Sequence, residues 1–127
     1  MNTLRALALA VATLSAPAAF AGEGHHDVTP RHNGVVVEVK DVVYELVATA
    51  DSLTLHIDDH GRKIDTTGAS GKITLLNGAE KTEAVLSPAG DNQLAATGTF
   101  KVGPGSKAVA VVTLAGKAPA TARFAIK

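Results

Sequence analysis

From residue 34 to the end of the chain, apolar side chains recur at every second position, in short runs separated by turn formers. A period of two is the mark of a half-buried β-strand, because successive side chains point to opposite faces. The clearest case is "LTLHI", residues 53–57, with Leu53, Leu55 and Ile57 in phase against Thr54 and His56. "GVVVEV" places Val35, Val37 and Val39 on one face, and "VVYELVATA" places Val42, Tyr44, Leu46 and Ala48 on one face. "GKITLLN" carries Ile73 and Leu75 and runs into Asn77-Gly78, a strong hairpin signal, with "EKTEAVLS" as the return strand. "QLAATGTFKV", residues 93–102, reads as one strand with Gly98 marking a bulge, and "KAVAVVTLA" and "ATARFAI" close the chain. "DDHGRKIDTTGAS", residues 58–70, reads as a long turn-rich connection. These runs predict an all-β domain. The expected fold is a single immunoglobulin-like β-sandwich of seven to eight short antiparallel strands, with a small closed barrel as the alternative.

What precedes residue 34 has a different character. Residues 2–5 form a short positive stretch, residues 6–14 an unbroken apolar run, and Ala19-Phe20-Ala21 a small-residue cleavage pattern. The expected reading is a cleaved signal peptide over residues 1–21, too short in its apolar part to span a bilayer. The mature protein is then periplasmic. It consists of a flexible His-containing segment over residues 22–33 and the β-sandwich domain over 34–127. Cleavage one residue later would create Glu23-Gly24-His25, an amine with histidine third, which is a square-planar chelate for Cu(II) or Ni(II).

Composition narrows the functions. Arg5 is the only charged residue of the first 21, so 11 basic and 12 acidic residues remain beyond it. No basic stripe or set of stacking aromatics suits a nucleic acid, and no later run is long enough to span a membrane. The chain has no cysteine, hence no disulfide and no thiolate chemistry. Ser52, Ser70, Ser87 and Ser106 lie in turn-like contexts without a nucleophile elbow, and no phosphate-cradling loop precedes a helix. A non-catalytic protein without an organic cofactor is expected.

Histidine placement is the one chemical signal. His25, His26 and His32 fall within eight residues, with Glu23 and Asp27 beside them. His56 and His60 flank Asp58 and Asp59, and a continuing strand would put His56, Asp58 and His60 on one face. Neutral imidazole is the commonest protein metal ligand, and imidazole with carboxylate suits zinc, Cu(II) or Ni(II). The candidate metal ligands are therefore His25, His26, His32, His56 and His60.

The segments "HNGVVVEVKDVVYELVA", "DHGRKIDTTGASGKITLLNG", "LSPAGDNQLAATGTF" and "KAVAVVTLAGKAPATARF" resemble a group of small periplasmic proteins of proteobacteria associated with heavy-metal resistance and efflux. Related segments occur in periplasmic adaptor subunits of resistance-nodulation-division efflux systems. The resemblance covers roughly residues 31–127. It implies an immunoglobulin-like sandwich and a link to copper, zinc, cobalt or cadmium handling. It supplies no ligand set, so the histidine assignment rests on chemistry alone. The expected function is capture or buffering of a divalent transition metal (copper, zinc, nickel or cobalt), with a periplasmic efflux adaptor as partner. The alternative is a β-sandwich interaction module without a metal role.

Overall fold

The computed structural model describes residues 29–127. The signal-peptide segment and His25 and His26 lie outside the described residues.

The alternating runs form nine antiparallel strands, and there is no helix among the described residues. They are β1 (Val35–Val39), β2 (Val42–Ala48), β3 (Ser52–Asp59), β4 (Arg62–Lys63), β5 (Ser70–Asn77), β6 (Glu80–Pro88), β7 (Gln93–Thr97), β8 (Lys107–Thr113) and β9 (Ala120–Ala125). Neighbours follow the order β1-β2-β3-β7-β6-β5-β8-β9, with β4 beside β3. The stretch β8-β5-β6-β7 is a Greek key: three hairpin-connected strands, with a fourth returning to lie beside the first. The β1-β2-β3 meander extends it past β7. Strand β6 serves both layers, because residues 80–86 pair with β5 while Ser87 and Pro88 pair with β7. The result is the all-β sandwich expected from the period-two pattern.

The core follows the same phase. Tyr44, Leu46, Leu53, Leu55, Ile57 and Leu94 are buried on the inner face of one layer, and Ile73, Leu75, Val112 and Phe124 on that of the other. Register alternates bulk with small residues in the second layer: Ile73 lies between Ala84 and Ala110, and Ala108 between Leu75 and Phe124. This fills the interlayer space without oversized neighbours colliding.

Tight turns close the hairpins. Lys40 and Asp41, at φ 50 and 68, and His60 and Gly61, at φ 51 and 79, form two-residue loops of the kind that match strand twist. In the β5–β6 hairpin the loop residues are Gly78 and Ala79, with Asn77 opposite Glu80. Two expectations are corrected. Residues 93–102 are not one strand: β7 ends at Thr97, and the chain bends so that the Phe100 ring lies where a Gly98 Cβ would stand, 3.1 Å away. Residues 58–70 are not all connection, since Asp58 and Asp59 extend β3 and pair with Lys63 and Arg62 of β4.

Candidate functional site

The outer face of the meander carries a row set by register: Val36 of β1, Glu45 of β2, His56 of β3 and Gln93 of β7 lie side by side. Outward positions on a sandwich are ordinarily wet, yet Glu45 is 5% exposed and His56 8%. The cover is the segment just before β1. Glu45 accepts hydrogen bonds from three of its backbone N–H groups: Arg31 to Oε1 at 3.0 Å, His32 to Oε2 at 2.8 Å and Gly34 to Oε2 at 2.9 Å. Asn33, in the left-handed region at φ 59, curls the backbone so that these N–H groups converge. Such a concavity of amides is a natural anion seat. Gly34 allows the close approach, since a Cβ there would stand 2.5 Å from the Leu46 carbonyl oxygen. A small cavity of about 20 Å³ remains beside the segment, lined by Arg31, Glu45 and Asp58 among others.

The same contact lays the His32 ring on the His56 ring, with centroids 3.7 Å apart and planes 11° from parallel. Two candidate ligands that are 24 positions apart in the chain are thus brought together. His60 is not brought to them. It sits in the turn after β3, with Nε2 3.4 Å from Asp59 Oδ1, so the three-residue face of His56, Asp58 and His60 does not form. Asp58 Oδ1 accepts a hydrogen bond from Asn92 Nδ2 at 3.0 Å. Among the described residues no three His, Asp or Glu side chains converge as metal ligands.

The stack has chemical consequences. In parallel rings the in-plane lone pairs run side by side, so one ion cannot lie along both until a ring turns. His56 Nδ1 is buried and has no hydrogen-bond partner among the described residues. Glu45 has its oxygens engaged by amides and acts as an anchor for the chain. Burial, helped by the neighbouring His32, pushes the His56 pKa below its ordinary 6.5, against the opposing pull of Glu45 and Asp58. Burial alone would raise Glu45, but the N–H groups of Gly34, His32 and Arg31 outweigh it and bring the carboxyl below its ordinary 4.5.

Both folded-state values lie below the unfolded ones, so the unfolded chain binds more protons on acidification and stability falls with pH. The His56 contribution is complete above pH 6.5 and is lost as pH falls through its lowered pKa. The Glu45 contribution is complete above pH 4.5 and is lost below that. Thermal melts from about pH 8 down to about pH 2 should show this two-stage decline. His56→Gln should remove the upper stage and leave the lower one.

Sequence reasoning placed His32 and His56 among the candidates but passed over Glu45. In "VVYELVA" it has the position of any outward polar residue. The available hint was Asn33-Gly34, a turn signal that bends the segment back over the sheet.

In comparison with known proteins, no family model and no solved structure matches the chain. A stretch of 60 residues, 47% of the chain, is 40% identical to an adenylosuccinate synthetase from Parafrankia sp. (strain EAN1pec). The match spans 14% of that protein's length.

Proposed function

We propose that this chain is a non-catalytic periplasmic metal-binding accessory protein. It captures or buffers a divalent transition ion (copper, zinc, nickel or cobalt) in connection with efflux, with a periplasmic efflux adaptor as the receiving partner. The observation that carries the reading is the meeting of His32 with His56, which joins the histidines of the N-terminal segment to one on the rigid sheet. The lowered pKa of His56 favours the unprotonated, ligand-competent imidazole at neutral pH. His25 and His26 lie seven and six residues before His32, close enough in the chain to supply further ligands. Rotation of one stacked ring about its Cβ–Cγ bond is the step that frees a lone pair for the ion. The periplasmic address rests on the signal-like pattern of residues 1–21.

A second reading has its own observation. The exposed large apolar side chains among the described residues, Leu76, Val85 and Val111, all lie on the outer face of the β6-β5-β8-β9 layer. That placement favours an interaction module that binds a partner and no metal.

Calorimetric titration of residues 22–127 with Cu(II), Zn(II) and Ni(II) separates the two. The metal reading expects binding whose affinity falls steeply between roughly pH 7 and pH 5, as protons compete for imidazoles with an ordinary pKa of about 6.5. Absence of binding, or an affinity that ignores pH over that range, would reject a histidine site.

A further inference from the structure

We infer that Glu45 is a positioning residue for the metal site: its carboxylate seats residues 31–34 on the sheet and thereby makes a pair of His32 and His56. This rests on the metal reading and adds to it the device that assembles the site. A nearly buried carboxylate on an outer sheet face calls for an explanation, since such a group needs partners that replace water. The partners of Glu45 are the three amides of Arg31, His32 and Gly34, all on the segment that bears His32. Register then does the rest. His56 is the residue directly across from Glu45 on β3, so a backbone held at Glu45 delivers its side chain onto His56. Hydrogen bonds to a charged acceptor are the strong kind, about twice a neutral pair. Neutralising the acceptor should therefore loosen the segment while the core, on the other side of β2, stays packed.

Two variants disturb the seat from opposite sides. Glu45→Gln replaces one accepting oxygen with an NH₂ group that cannot accept from an amide. Gly34→Ala places a Cβ against the Leu46 carbonyl and the Glu45 side chain, 2.5 Å and 2.9 Å away. Glu83→Gln, on the far layer and paired with Lys72 and Lys81, is the control. Each protein, as residues 22–127, is checked for folding by circular dichroism. The histidine ring resonances are then recorded without metal, and the protein is titrated with Cu(II).

In both seat variants the His32 and His56 rings should lose the mutual ring-current shift of the stack, and Cu(II) affinity should fall about fivefold to tenfold. In the Glu45→Gln background, His32→Ala should cost little more, because the two residues act as one unit. Glu83→Gln should leave rings and affinity as they were. Unchanged ring shifts and affinity in a folded Glu45→Gln protein would overturn the proposal and leave Glu45 a purely structural anchor. Full additivity of Glu45→Gln and His32→Ala would overturn it too. Failure of the parent protein to bind Cu(II) rejects the metal reading. The ring resonances of the metal-free variants then still decide whether Glu45 sets the pair.

Discussion

Deleting residues 22–29 should weaken Cu(II) or Zn(II) binding at least tenfold and leave the melting temperature nearly unchanged. The deletion removes His25 and His26, two of the three clustered imidazoles, and only one apolar side chain, Val28. Little buried apolar area is lost, and area is what stabilises a small domain. The anchor is untouched, because the amides that bind Glu45 begin at Arg31. The shortened protein therefore keeps its stacked His32 and His56 and becomes a two-histidine site. A tenfold loss corresponds to about 1.4 kcal/mol, a modest demand for two ligands. Titration and thermal melting of the two proteins side by side make the comparison. Equal affinity would show that His25 and His26 contribute nothing and would leave the folded pair as the whole site.

Leu55→Ala should have the largest effect on stability. Leu55 is fully buried and lies between Leu46 and Leu94 in adjacent strands, at the centre of the meander layer. Truncation removes the buried methyl groups and leaves a cavity that leucines on either side cannot fill, at a cost of about 2–5 kcal/mol. For a domain of this size the melting temperature should drop by at least about 10 °C. Val85→Ala makes the contrast: its side chain is 73% exposed, and the change should stay within about 0.5 kcal/mol. A loss that small for Leu55→Ala would mean that the core is far less tightly packed than its burial implies. At temperatures where Leu55→Ala remains folded, metal affinity should be close to that of the parent, because Leu55 and His56 point to opposite sides of β3.

The fold was legible where the physics is local. Leu53, Leu55 and Ile57 announce an inward face by spacing alone, and Lys40-Asp41 marks its turn between two valine runs. Strand β4 was not legible, since Arg62-Lys63 is too short and too polar to show a period. The end of β7 was hidden because Gly98 and Phe100 fit a strand pattern, while the bend between them comes from where the ring packs. The candidate site was half legible. Imidazole chemistry singles out His32 and His56 from composition, but their contact spans 24 positions and has no period to betray it. Glu45 was invisible for the same reason. Its burial is produced by a segment 11 to 14 residues away, and no property of "VVYELVA" records that.

Strand β6 ties the two layers with one unbroken backbone, hydrogen-bonded to β5 over most of its length and to β7 at its end. It works as a spine. Neither half of the sandwich can peel away without stripping a ladder from a strand the other half also needs. Amides on both sides of that spine, in β5 and in β7, should therefore exchange with solvent together, as one cooperative unit. The segment seated on Glu45 pairs with neither β5 nor β7, so its amides should exchange separately from that unit. Faster exchange at Arg31, His32 and Gly34 than in β5 and β7 would be the mark of that division.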